Sequence, residues 1–108
     1  RQRQMCIRDR HIVMWKLEEF AEGKSKAENA QWMKEHLEAL IGIVPQIKSL
    51  EVGINVNTSD AAYDAVLVST FENEEDLNLY QHHPEHVKVS AYCNKVRIGR
   101  VVADYYTE

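Results

Sequence analysis

The chain is predicted to fold as an α+β domain of order β-α-β-β-α-β, with a four-stranded antiparallel sheet carrying its helices on one face. Three observations predict this. Period-two apolar alternation occurs in four separate stretches, three-and-four spacing occupies the two intervals between the outer strands, and the middle strands are joined by a connection short enough for a hairpin. At 108 residues, 44% hydrophobic and 28% charged, the chain has the size and composition of one globular domain.

The first strand is expected from about Arg10 to Leu17. His11, Val13, Trp15 and Leu17 share one side, and Ile12, Met14 and Lys16 share the other. Both sides are largely apolar, which describes a central strand covered on both faces. Glu18 to Lys24 is a polar connection containing Gly23. Ser25 and Glu28 have capping-box spacing, so a helix opens there. Its buried stripe is Ala30, Met33, Leu37, Leu40, Ile41 and Val44, flanked by Trp32, His36 and Ala39, and Gly42 with Pro45 supplies the stop.

Leu50, Val52, Ile54 and Val56 alternate with polar residues and glycine and form the second strand. Thr58, Ser59 and Asp60 supply the turn into a third strand, Tyr63 to Phe71. Asn73 then caps a helix whose first turn, Glu74-Glu75-Asp76, suits the positive pole of the helix dipole. That helix is interrupted at His83-Pro84 and resumes to about Lys95. Arg97 to Arg100 is expected to form its last turn, and Val101 to Tyr106 the final strand. The helices cover one face of the sheet only. Ile12 and Met14 on the other face call for a second copy of the chain, packed sheet against sheet.

Residues 1–9 are excluded from the domain, which is taken as residues 10–108. Four arginines against Asp9 give the first ten residues a net charge of +3, leaving −7 on the other 98. The segment is read as a basic arm or a sequence scar. An acidic domain without a basic stripe is a poor nucleic-acid binder, because neutralising phosphates supplies most of that affinity. No apolar run approaches the roughly 20 residues that span a bilayer. Cys6 and Cys93 form no disulfide framework or C-x-x-C pair, so reduced thiols and a cytoplasmic setting are expected.

The candidate site centres on Tyr80-Gln81-His82-His83-Pro84-Glu85-His86-Val87, which holds three of the five histidines. Proline suits the first turn of a helix, where its missing N–H has no partner to lose. His86 then lies in the first turn, where the helix dipole disfavours its protonated form. A neutral His86 can accept a proton or bond a ligand oxygen. His83 and His86 are also spaced to share a metal ion, but the sequence offers no third ligand beside them. A wholly structural reading stands alongside: His83 caps the helix, His86 bonds across the layers, and Tyr80 is a core aromatic.

His-Ile-Val-Met-Trp-Lys-Leu at 11–17, His-Pro-Glu-His-Val at 83–87 and Arg-Val-Val-Ala-Asp-Tyr at 100–105 together resemble the stress-responsive A/B barrel domain, with all elements in matching order. The resemblance implies a dimeric α+β barrel of ferredoxin-like subunits. It also implies a cavity between sheet and helices that binds a small apolar or aromatic molecule. His11, Trp15, Tyr80, His83 and His86 are the ligand-binding candidates on that implication. One branch of the family, the plant polyketide cyclases, has a catalytic tyrosine and histidine that match Tyr80 and His86. Its first-strand cavity histidine matches His11, while a further pocket histidine falls at Ala65 and is missing here. In the cyclase alternative His86 removes a proton from a carbon between two carbonyls, Tyr80 stabilises the resulting oxyanion, and no cofactor is needed.

Overall fold

A computed structural model describes residues 7–107. Its elements are β1 (Arg8–Leu17), β2 (Phe20–Ala21), β3 (Lys24–Ser25), α1 (Lys26–Glu38), β4 (Ile47–Ile54), β5 (Ala65–Phe71), α2 (Glu74–His82), α3 (Pro84–Val96) and β6 (Arg97–Thr107). The main sheet is antiparallel throughout and ordered β4-β5-β1-β6, the ferredoxin-like arrangement expected.

β1 is central, as its two-sided apolar pattern requires. Val13, Trp15 and Leu17 are buried on the helix side, where they meet Leu67 of β5 and Met33 and Leu37 of α1 in one core. The strand begins at Arg8 instead of Arg10, so Arg8 and Asp9 pair within the sheet although they were assigned to the excluded segment. Residues 1–6 of that segment, Cys6 among them, lie outside the described residues.

The connection after β1 holds a small hairpin, β2 with β3, turned by Glu22 at φ 53° and Gly23 at φ 76°. Two consecutive positive φ values make the tight turn whose twist matches the flanking strands. Ser25 and Glu28 form the predicted capping box at the start of α1, a device worth about 1 kcal/mol. The helix stops at Glu38, earlier than the apolar stripe suggests. Leu40 and Val44 remain buried in the following turns, but Ile41 is 51% exposed, because Gly42 at φ 89° takes the chain off the helical path.

β4 and β5 form the expected hairpin, although β4 runs from Ile47 and ends at Ile54, leaving Val56 94% exposed. The end of the chain differs most. Arg97 to Arg100 is not a helical turn: β6 begins at Arg97, immediately after Val96, and pairs with β1 over nearly its whole length. This early start sets the register that places His11 opposite Asp104 and Trp15 opposite Arg100. On the sheet face away from the helices, Met14, Val101 and Tyr105 are exposed beside the partly buried Ile12, Val66 and Val68.

Candidate functional site

The break between α2 and α3 builds the site. A residue preceding proline is pushed out of the helical region, and His83 accordingly sits at φ −63°, ψ 134°. Its imidazole Nδ1 accepts the Glu85 backbone N–H at 3.1 Å and thereby caps α3. Stopping α2 also leaves its last carbonyls without intrahelical partners. His86 meets one of these: its Nδ1 donates to the Gln81 carbonyl at 3.1 Å. The bond folds the first turn of α3 back onto the last turn of α2, so the His86 ring lies 4.4 Å from the ring of Tyr80. Tyr80 in turn packs 4.9 Å from Phe71 and is fully buried.

Tyr80 and His86 line a cavity of about 40 Å³ between helices and sheet, with Trp15, His11 and Arg100 forming its sheet side. That volume admits a few heavy atoms, since one water needs roughly 10–15 Å³ on the same measure. The cavity is too small for a whole poly-β-keto chain; its volume matches the end of a larger molecule or the whole of a very small one. Gln81, Ser90 and Asn94 add polar groups, so the lining is more mixed than the apolar pocket expected.

Four of the five candidate ligand-binding residues therefore meet: His11, Trp15, Tyr80 and His86. His83 does not line the cavity, because its ring is turned to its own helix start. That cap also weakens the reading of His83 and His86 as a metal pair, since His83 accepts at Nδ1, carries its proton on Nε2 in the neutral ring and has no lone pair left for a metal. Among the described residues no three His, Cys, Asp or Glu side chains converge as a metal site would need.

His11 has a partner that sequence patterns did not reveal. Its Nδ1 lies 2.5 Å from Oδ1 of Asp104 across the β1–β6 pair, and its backbone carbonyl accepts the Ser69 hydroxyl at 3.1 Å. A carboxylate only accepts, so Nδ1 carries the proton, and in the neutral ring Nε2 is left with the free lone pair. The same argument applies to His86, whose Nδ1 donates to a carbonyl. Two imidazoles of the same tautomer thus border one cavity.

Burial sets the electrostatics. It lowers the pKa of His86, with the neighbouring His11, Arg100 and His83 acting in the same direction and the bond to Gln81 opposing. His86 is thus held neutral as expected, but chiefly by desolvation instead of the helix dipole. Burial also raises Tyr80 well above the ordinary phenol value, so it stays an O–H donor. Cys93, which lines the same space, is pushed up to about 12 by burial and is an inert thiol. Among the described residues the Tyr80 hydroxyl makes no hydrogen bond, which leaves it available to a guest.

Residues 10–107 match the family model of the stress responsive A/B barrel domain. Among solved structures, the chain is similar to a dimeric protein of unknown function with a ferredoxin-like fold from Bacteroides fragilis. The two are 31% identical over 93% of this chain and 96% of the other, with a TM-score of 0.83. A dimeric ferredoxin-like protein of unknown function from Thermobifida fusca is 21% identical over 94% and 92% of the two chains, at a TM-score of 0.76. A hydroxynitrile lyase from Passiflora edulis shares the fold at 16% identity, 94% coverage of each chain and a TM-score of 0.71. No curated protein matches the chain.

Proposed function

Because the chain belongs to the stress-responsive A/B barrel domain family, we propose that it acts as a homodimeric barrel whose sheet–helix cavity binds a small aromatic or apolar molecule. The observation that carries this reading is the convergence of His11, Trp15, Tyr80 and His86 on one cavity. A polar group inside a protein normally finds a partner, and a bound ligand would supply one. The dimeric state of the Bacteroides fragilis relative supports closure by a second copy. So does the apolar outer face of the sheet, on which the Nε atoms of Arg8 and Arg10 are buried without a hydrogen bond among the described residues. A cytoplasmic location suits the reduced, buried Cys93.

The His11–Asp104 pair favours a second reading: cofactor-free acid–base chemistry on a substrate whose reacting end enters the cavity. The cyclase alternative assigned proton removal to His86 and charge stabilisation to Tyr80. The geometry supports Tyr80 as the donor to a developing oxyanion. It adds His11, oriented by a carboxylate, as a base equal in placement to His86.

Mass spectrometry of small molecules released from the purified protein, with His86→Ala as the comparison, tests the binding reading. A compound held by the wild type and lost or diminished in the variant supports it. A compound retained equally when His86 and Tyr80 are both replaced places the ligand elsewhere and defeats it.

A further inference from the structure

We propose that the ligand of this cavity is a carboxylate, and that Arg100 is the residue that selects it. This rests on the cavity being a ligand site and goes further by naming the chemical class. Arg100 lies on β6 directly opposite Trp15, on the helix side of the sheet, and lines the cavity with Tyr80 and His86. Its guanidinium carries a permanent charge and presents a planar fork of N–H donors matched to a carboxylate.

Nothing else in the lining neutralises that charge. The titratable groups around the cavity are His11, Tyr80, His86 and Cys93, none of them an acid at neutral pH. Of the two carboxylates that act on His11, Asp104 is hydrogen-bonded to its ring, and among the described residues neither Asp104 nor Asp9 forms a salt bridge with Arg100. Among the described residues Arg100 forms no salt bridge, although Lys26, Lys34, Lys48 and Lys88 each pair with a glutamate. The remaining polar lining is rich in donors: the Tyr80 and Ser90 hydroxyls and the Gln81 and Asn94 amides. A site with one unpaired cation, several neutral donors and room for a few heavy atoms suits a carboxylate group and its adjacent carbon. The rest of an aromatic acid would lie at the mouth beside Arg100, which is itself exposed.

The test uses two acid–amide pairs of matched shape, benzoate with benzamide and propionate with propionamide. Each is titrated into the full chain at pH 7.5 and low salt while the ring resonances of His11, His86 and Trp15 are followed by NMR. In at least one pair the acid is expected to bind about tenfold or more tightly than its amide, the scale of one charge-assisted bond. Arg100→Gln is expected to erase that preference, and Arg100→Lys to restore part of it. Inorganic phosphate is expected to bind more weakly than the preferred acid. Amides that bind as well as their acids, an Arg100→Gln variant that keeps the preference, or phosphate binding most tightly would each overturn the carboxylate assignment. In those cases the cavity still stands as a binding site. If none of the compounds moves these resonances, the binding reading fails with it.

Discussion

His11 and Asp104 face each other across the β1–β6 pair, with Nδ1 and Oδ1 2.5 Å apart. His11 is buried and Asp104 half-exposed, so the carboxylate reaches in from the open edge of the sheet to hold a ring that the core surrounds. The pair fixes both the orientation and the tautomer of His11. Two-dimensional nitrogen NMR should therefore find the neutral ring protonated at Nδ1, against the usual preference of free histidine for Nε2. Asp104→Ala should release the ring to the Nε2–H form and cost about 1 kcal/mol in urea unfolding. An unchanged tautomer in that variant would contradict the assigned role.

Tyr80→Phe removes a hydroxyl that bonds no protein group among the described residues, while keeping the ring packed against Phe71 and His86. Its unfolding free energy should lie within about 0.5 kcal/mol of wild type. Ligand affinity should fall by about fivefold or more, the scale of one lost hydrogen bond. A stability loss of several times that amount, measured by thermal or urea denaturation, would instead mark the hydroxyl as structural.

The lowered pKa of His86 makes stability depend on pH in a definite direction. The unfolded chain takes up a proton near the ordinary histidine value of 6.5, whereas the folded site resists it through burial and the neighbouring His11, Arg100 and His83. Between those two values the unfolded state holds more protons, so stability rises with pH. Conversely, the stability present above pH 6.5 is lost as pH falls toward the lowered folded value. Urea midpoints taken from pH 7.5 down to 5 should decline less steeply in His86→Gln. Equal slopes in the two proteins would refute the shift.

Asp9 carries the opposite kind of strain. It is buried on the same face as His11, and burial followed by the charges of Asp104 and Glu74 raises its pKa, with His11 opposing. The folded state therefore binds the Asp9 proton more tightly than the unfolded state, and stability is lost as pH rises from the ordinary value of 3.8 through the raised one. Asp9→Asn should accordingly raise the melting temperature at pH 7 and leave it nearly unchanged at pH 3. A variant that melts lower at pH 7 would show that the carboxylate is needed for something other than its charge.

Much of this fold is legible in residue patterns, because each long element repeats one period for several turns or pleats. The Ser25–Glu28 capping box and the His83-Pro84 break are local chemistry, and both occur where the side chains place them. The meeting of His11, Trp15, Tyr80 and His86 follows from the resemblance and from the shared face of β1. What escapes is register. The stretch Arg97-Ile98-Gly99-Arg100 resembles a helix end, yet the chain turns from Val96 straight into β6, and only pairing with β1 reveals it. Without that register neither Asp104 beside His11 nor Arg100 at the cavity is visible, although their four-residue spacing puts both on one face of a strand. The two-residue strands β2 and β3 leave no periodic trace at all, and Glu22 at positive φ is an uncommon choice for their turn.

A charged residue on the outer face of the sheet should separate the proposed dimer. Val68 lies on that face, on β5 beside central β1. Light scattering should give twice the chain mass of 12.5 kDa for the wild type and a single chain mass for Val68→Lys. A wild-type monomer at micromolar concentration would remove the second copy from the proposed function.

Whether the cavity holds a guest is decided by intermolecular NOEs to benzoate or benzamide at saturation. Contacts from the probe to ring protons of His11, Tyr80 and His86 are expected, because those three side chains border the space. Contacts confined to Met14, Val66 and Tyr105 on the outer face, or none anywhere, would show that the cavity is only a packing defect.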